Sequence, residues 1–167
     1  ECKNLVQIEA PSVTTIGQGA FKRSGLSEIR RTDLPNVDDI ESYAFHRCNK
    51  LTRVCFPNLK TISKRVFSKS GLLKIEETDL PNVKYIEKEA FSNCKNLIEA
   101  SFPKLTDIDV FAFHKCTSLT YVDVPSICYV KPGAFHLCES ISKIHTNNIV
   151  KYTTLYEGLD FRLDKAM

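Results

Sequence analysis

Residues 97–116 read LIEASFPKLTDIDVFAFHKC. The first six residues follow an L-x-x-A-x-F pattern, which is typical of a short strand with one buried face. Pro103 ends that strand, because proline has no N–H to give to a neighbouring strand. A second apolar pair follows, and the Ala112-Phe113 segment is predicted to turn the chain back. One unit of this kind cannot bury its apolar side alone, so the stretch predicts a protein of stacked copies.

The same unit recurs along the chain at nearly constant intervals. An Ala-Phe or Val-Phe pair repeats with spacings of 24, 22, 24, 22 and 22 residues, at Ala20-Phe21, Ala44-Phe45, Val66-Phe67, Ala90-Phe91, Ala112-Phe113 and Ala134-Phe135. Six of the seven prolines keep these intervals, at Pro11, Pro35, Pro57, Pro81, Pro103 and Pro125. The shared intervals predict an α/β repeat solenoid over residues 1–145, a right-handed superhelix of about seven rungs of 22 or 24 residues with a parallel strand face.

The unit resembles the BspA-like leucine-rich repeats, also called the Treponema-pallidum type, which read L-x-x-I-x-I-P-x-x-V-x-x-I-x-x-x-A-F-x-x-C. The resemblance covers residues 2 to about 145, where the Pro, the Ala-Phe pair and the Cys lie at the family's positions. It implies attachment rather than catalysis, since family members are mostly cell-surface or secreted adhesion proteins of anaerobic bacteria and parasitic protozoa. The 24-residue units depart from the family's pattern, and residues 146–167 have no counterpart in it.

The 24-residue units point to a duplicated pair of rungs. Residues 24–37 are echoed 46 residues later by residues 70–83. Both stretches lose one residue before the first Leu and gain three after the following Ile. The gained residues are predicted to bulge at the end of the strand, with Arg30-Arg31 in one bulge and Glu76-Glu77 in the other. We interpret each bulge first as a solvated loop, with a binding rim as the alternative.

Composition excludes several classes of partner. The 23 Lys and Arg and 20 Asp and Glu residues are mixed along the chain, so we predict no nucleic-acid binding. No apolar run is long enough for a membrane span, so we predict no membrane insertion. The N-terminal residues read as repeat sequence rather than as a secretion signal, which leaves open a cytosolic protein or one whose leader or longer N-terminal region was removed.

The two ends of the array are expected to differ. Residues 146–167 contain apolar residues but no repeat, so we predict that they form a capping segment over the last rung. No comparable cap precedes Cys2. This predicts either an array cut from a longer one or self-association through the uncapped N-terminal rung.

Cysteine and histidine recur at fixed repeat positions, which raises the question of disulfides or a metal. Cys2, Cys48, Cys94, Cys116 and Cys138 share one position and are predicted to form a buried column without disulfides, since Cys packs as a small hydrophobe. Cys55 and Cys128 are predicted to point outward. His46, His114 and His136 each follow a Phe, but they should face away from the cysteines, so we predict no metal site. We also expect no cofactor and no enzyme activity, because nothing in the sequence converges on a catalytic cleft.

The strand face is the remaining candidate site. Its outward positions, expected to line a concave surface that binds a ligand, are Gln7, Glu9, Glu28, Arg30, Arg53, Cys55, Lys74, Glu76, Glu99, Ser101, Tyr121, Asp123, Lys143 and His145. Mixed charge with one Tyr favours a protein ligand, such as a host, matrix or neighbouring-cell protein, over a lipid or a nucleic acid. The sequence therefore predicts a non-catalytic, cell-surface or secreted adhesion module. An intracellular (cytoplasmic) scaffold that binds a cytosolic protein through the same face is the alternative.

Overall fold

The computed structural model describes residues 2–147, which form a parallel β-solenoid of about six turns. Each turn contributes two short strands. In chain order they are β1 (Thr15–Ile16), β2 (Glu28–Ile29), β3 (Asp39–Ile40), β4 (Arg53–Val54), β5 (Thr61–Ile62), β6 (Lys74–Ile75), β7 (Tyr85–Ile86), β8 (Glu99–Ser101), β9 (Asp107–Ile108), β10 (Tyr121–Asp123), β11 (Tyr129–Val130) and β12 (Lys143–His145). The predicted capping segment, residues 146–167, lies almost entirely outside the described residues and stays a prediction.

The strands form two parallel faces. The even-numbered strands make the first face, where β6, β8, β10 and β12 form one sheet and β2 pairs with β4. The odd-numbered strands make the second face, where β5, β7, β9 and β11 form one sheet and β1 pairs with β3. The register places equivalent residues above one another, so that Ile29 lies opposite Val54 and Val122 opposite Ile144. Inward and outward positions therefore form continuous columns along the solenoid.

The Ala-Phe segments form a third side, the turn side, and they do so without a helix. In one of them, Phe45 N–H donates to the Val66 carbonyl of the next turn at 3.0 Å, while His46 N–H donates back to Tyr43 at 3.0 Å. Left-handed residues bracket the pair, here Tyr43 (φ 63°) and Arg47 (φ 61°). Residues 2–147 contain no helix at all, and hence none that is long and apolar enough to cross a membrane. The expected α/β character is thus not confirmed.

The expected seventh rung is not confirmed either. Residues 5–9 carry the L-x-x-I pattern, but they form no strand. Leu5 and Ile8 are only partly buried against the core. Residues 5–9 therefore supply one part of a turn and not a complete rung.

A column of phenylalanine rings runs along the centre of the solenoid. It contains Phe21, Phe45, Phe67, Phe91, Phe113 and Phe135. Successive ring centroids are 5.0 to 5.6 Å apart, with interplanar angles between 8° and 19°. The Phe at the constant repeat position thus packs against its own equivalent in the next turn, where aromatic contacts add to the burial of apolar surface.

The predicted cysteine column is confirmed for four of its five members. Cys48, Cys94, Cys116 and Cys138 are fully buried. Each thiol donates to a Phe carbonyl of the preceding turn, at distances of 2.9 to 3.2 Å. All seven cysteines are free thiols. Cys2 is exposed instead.

Candidate functional site

The first face brings most of the predicted ligand-binding residues into two columns. The first outward position of each strand holds Glu28, Arg53, Lys74, Glu99, Tyr121 and Lys143. The third position holds Ser101, Asp123 and His145, and Arg30 and Glu76 directly follow β2 and β6. Gln7 and Glu9 are exposed, but they lie before β1 and belong to no strand. The face therefore begins at β2, one unit later than predicted.

Charges on the first face compensate one another. Arg30 pairs with Glu28 in its own turn. Lys74 pairs with Glu99 of the next turn, at 2.9 Å. All four side chains are more than a third exposed, so each pair contributes little to stability. Their effect is on recognition, since a ligand that binds here by charge alone must first break an existing pair.

The two three-residue insertions close into compact turns around a buried aspartate. Asp79 is 2% exposed and accepts from the backbone N–H of Glu76 at 2.9 Å. It also accepts from Arg53, with Nη2 at 3.0 Å and Nε at 3.3 Å, and this raises the pKa of the Arg53 guanidinium. Asp33 closes the first insertion in the same way, through the N–H of Arg30 at 2.8 Å. The predicted bulges are therefore ordered by hydrogen bonds.

Cys55 corrects one prediction about the site, because its side chain is buried and not outward. The insertions lie on the turns before and after Cys55. Arg31 Nη2 donates to the Thr78 carbonyl at 3.2 Å, which joins the two insertions across the turn between them. The Cys55 thiol lies 3.9 Å from the same carbonyl oxygen, and burial raises its pKa. Cys55 is therefore covered by the insertions, whereas Cys128 is exposed as predicted.

Ser101, Asp123 and His145 meet on adjacent strands, but not in a catalytic order. The Ser101 hydroxyl donates to Asp123 Oδ2 at 3.1 Å, and His145 Nδ1 lies 2.6 Å from Asp123 Oδ1. The carboxylate stands between the other two groups. A nucleophilic triad instead needs the imidazole between the serine and the carboxylate, so that it can take the hydroxyl proton. These three residues therefore form a polar bridge over β8, β10 and β12.

Two exposed aliphatic residues on the first face escaped the sequence analysis. Leu73 and Ile98 directly precede β6 and β8 and are 45% and 48% exposed. They lie on adjacent turns, joined by Ile98 N–H donating to the Leu73 carbonyl at 2.8 Å. The two side chains form a small apolar patch, and Tyr121 lies on the next turn in the adjoining column, in register with Glu99. The equivalent positions in other units hold Ser27, Thr52, Thr120 and Ser142, so a comparison of units could have found the two aliphatic residues.

A cleft opens beside this patch. Its volume is 370 Å³, and it lies between the second insertion and the strands β6, β8 and β10. Its lining combines backbone and side chains of Lys74, Ile75, Glu76, Glu77, Thr78, Glu99, Ala100, Ser101 and Tyr121. The second insertion thus forms one wall of this cleft.

The predicted histidine column lies on the turn side, away from the first face. The rings of His114 and His136 stack at 5.2 Å with an interplanar angle of 11°, and Phe111 contacts both. Burial is the main cause that lowers the pKa of His114, and the pKa of His46 is lowered to about 4. In residues 2–147 no group of three or more His, Cys, Asp or Glu side chains is arranged to hold a metal ion.

Comparison with known proteins identifies the repeat. The model of the BspA type leucine rich repeat region matches residues 1–79 and 72–157, with six copies. No curated protein shows a significant match. A leucine-rich repeat protein from Bacteroides ovatus shares the fold, with a TM-score of 0.60 and 23% identity over 87% of this chain and 44% of that one. A leucine rich cell surface protein from Faecalibacterium prausnitzii shares it with a TM-score of 0.54 and 21% identity over 84% of this chain and 46% of that one. This chain spans less than half the length of either. Because the repeat model covers most of its length, the chain belongs to the BspA-type leucine-rich repeat family.

Proposed function

We propose that the chain is a non-catalytic module that binds a protein ligand through its first face, as part of a cell-surface or secreted adhesion protein. Leucine-rich repeat proteins are generally protein-interaction modules, which supports the class of ligand. The observation that carries the proposal is the exposed apolar patch of Leu73 and Ile98, with Tyr121 in the adjoining column, on a face where Lys74 already pairs with Glu99.

The composition of this patch matches the centre of a protein interface. Binding energy at such interfaces comes mainly from a few apolar or aromatic anchors, whereas the polar rim excludes water and fixes register. Leu73 and Ile98 supply exposed aliphatic surface, and Tyr121 supplies an aromatic ring beside the cleft. The surrounding Lys74 and Glu99 neutralise each other and form such a rim.

The proposed localisation rests on the family and on one structural relative. The Faecalibacterium prausnitzii protein that shares the fold is described as a cell surface protein. A host, matrix or neighbouring-cell protein is the corresponding ligand. Free thiols favour a second candidate, an intracellular scaffold, because exposed Cys128 would persist most readily in a reducing compartment. Antibody staining of intact and of permeabilised source cells separates the two, since a scaffold gives signal only after permeabilisation.

Binding to a panel of purified matrix and serum proteins tests the proposed face. Leu73→Asp combined with Ile98→Asp is expected to weaken binding of any captured protein by about 30-fold, as expected for the loss of a hot spot of about 2 kcal/mol. Leu137→Asp is the matched control, since Leu137 is also an exposed aliphatic residue but lies on the turn side. Charge reversal at Lys74 tests the rim, and Arg53 is left unchanged because it pairs with buried Asp79. Unchanged binding in the first-face variants would refute the proposed site, and a panel without any binder would refute the adhesion role.

A further inference from the structure

The second face carries exposed aromatic side chains that the proposed function does not use. Tyr85 and Tyr129 are 49% and 65% exposed, and each occupies the first outward position of its strand. Asp107 lies between them, because it is in register with both. The rings therefore stand two turns apart in one line along the axis, about 9.6 Å at the usual strand spacing.

Such a line of exposed rings suits a flat, repeating ligand. A tyrosine ring exposed on a rigid strand offers an apolar surface with a polar tip, and its placement costs little conformational entropy. Sugar rings present an apolar face of similar size, and their hydroxyls bond carboxylates. A separation of two turns is comparable with the length of a disaccharide in an extended glycan. Asp107 then lies where a hydroxyl of the sugar between the two rings needs an acceptor.

An adjoining cleft adds a second, independent feature, which is positive charge. The cleft has a volume of 460 Å³ and lies at the corner that leads into the second face, lined by Asp38, Asn58, Lys60, Asn82, Lys84 and Lys104. Lys84 is the chain neighbour of Tyr85, and Lys60 is its equivalent on the preceding turn, as Lys84 N–H donates to the Lys60 carbonyl at 2.8 Å.

These lysines are available to a ligand. Within residues 2–147, neither Lys60 nor Lys84 makes a side-chain ion pair or hydrogen bond. Lys104 Nζ donates to Asn82 Oδ1 at 2.7 Å, and Asn82 Nδ2 is itself fixed by the Pro57 carbonyl at 2.8 Å. The first face differs, because there Lys74 of β6 already pairs with Glu99 of β8. The corner cleft beside the second face can therefore bind an anion without breaking a pair.

We propose that the second face binds an extended glycan that carries carboxylate or sulfate groups. Its sugar rings stack on Tyr85 and Tyr129, and its acidic groups bind Lys60, Lys84 and Lys104. Rings without the lysines would suit a neutral glycan, and lysines without the rings would suit any polyanion. Their combination favours an acidic glycan. The site is separate from the first face, so the two proposals stand or fall independently.

Titration calorimetry on the whole chain tests this proposal, with oligogalacturonate and dextran sulfate as acidic glycans, dextran as a neutral glycan and polyphosphate as a polyanion without rings. At least one acidic glycan is expected to bind, and dextran and polyphosphate to bind more weakly. Tyr85→Ala combined with Tyr129→Ala should weaken acidic-glycan binding by about tenfold, as should Lys60→Gln combined with Lys84→Gln. Asp107→Asn is expected to strengthen it, because a repulsive charge is lost while an acceptor oxygen remains.

Matched controls separate a site from general charge attraction. Lys69→Gln combined with Lys95→Gln removes the same charge from two exposed lysines elsewhere on the surface and should leave binding unchanged. All substituted side chains are at least partly exposed, so the variants should unfold at the same temperature as the wild type. Equal weakening by both lysine pairs, polyphosphate binding as tight as the acidic glycans, binding insensitive to loss of the tyrosines, or no binding of either acidic glycan would overturn the proposal.

Discussion

Replacement of Gly71 by Ala is expected to lower the free energy of unfolding by about 1–3 kcal/mol, the usual cost of overpacking a well-packed site. A Cβ at this position would lie 2.2 Å from the Asn49 carbonyl oxygen and 2.9 Å from the carbonyl carbon. Both are backbone atoms, so no side-chain rotation relieves the clash. The close approach follows from the residue that the 24-residue unit has lost before Leu72, since the shortened segment lies directly against the preceding turn.

Two other glycines make the test of Gly71 specific. A Cβ at Gly17 would meet no heavy atom within 4 Å beyond its own chain neighbours, so Gly17→Ala should stabilise the protein by about 0.4–1 kcal/mol through the unfolded state. Gly25 repeats the clash at 2.5 Å from the Lys3 carbonyl oxygen. Gly25→Ala should cost less than Gly71→Ala, because its Cβ would lie farther from the backbone, with the Lys3 carbonyl carbon at 3.5 Å where Gly71 has that of Asn49 at 2.9 Å.

Urea denaturation followed by circular dichroism measures these effects. With an m-value of about 1–3 kcal/mol/M, the midpoint of Gly71→Ala should fall by roughly 1 M at unchanged m. A midpoint at or above that of the wild type would refute the argument that backbone contact between turns excludes a Cβ here. A changed m-value would show instead that the array no longer unfolds as one unit.

Two further predictions concern charged groups. Asp79→Asn should lower the free energy of unfolding by about 1–3 kcal/mol, because it removes the charge that Arg53 and a backbone N–H bind. Its effect in the same urea experiment should exceed that of Asp33→Asn, and equal losses would contradict a role for Arg53. The pKa of His46 is lowered from 6.5 to about 4, first by burial and then by nearby cations such as Arg47, so the neutral ring favours the folded state. That contribution is fully present above pH 6.5 and is lost as the pH falls from 6.5 towards 4. At this partly buried ring the contribution amounts to about 1–2 kcal/mol. Between pH 6.5 and 4 the wild type should therefore lose more thermal stability than His46→Gln, and parallel plots of unfolding temperature against pH would contradict the assignment.

The sequence predicts the inward columns of the fold well, since the repeat states them directly. A residue such as Phe91 packs between its equivalents Phe67 and Phe113 on the adjacent turns, so its burial follows from its spacing; Cys2, which shares the cysteine position but is exposed, is the exception. The turn side is harder, because Ala-Phe followed by a Cys three residues later fits one helical turn as well as a run of turns. Only the left-handed backbone at residues such as Tyr43 and Arg47 separates these structures, and neither residue type indicates it.

The candidate sites depend on the residues that break the repeat, and these were predicted less well. Cys55 was expected to point outward because it lies at an outward position of the strand pattern in its own unit. Insertions on the turns before and after it cover its side chain instead. The exposure of Leu73 and Ile98 was not predicted, because both residues precede their strands and the strand pattern assigns inward and outward positions only within a strand. Contacts between turns that are not adjacent, such as that of Arg31 with Thr78, have no signature within one unit.

Hydrogen bonds on the turn side give the solenoid a direction. Along this side the N–H groups that cross between turns all run the same way, as Phe21 donates to Ala44, Phe67 to Ala90 and Phe113 to Ala134. Their dipoles add along the axis and do not alternate as in a sheet. On this side the N–H groups of each turn therefore face the following turn, and its carbonyl oxygens face the preceding one. Within residues 2–147 every turn continues the polarity of the turn before it, so the turns stack head-to-tail, and an inverted turn would place donors against donors.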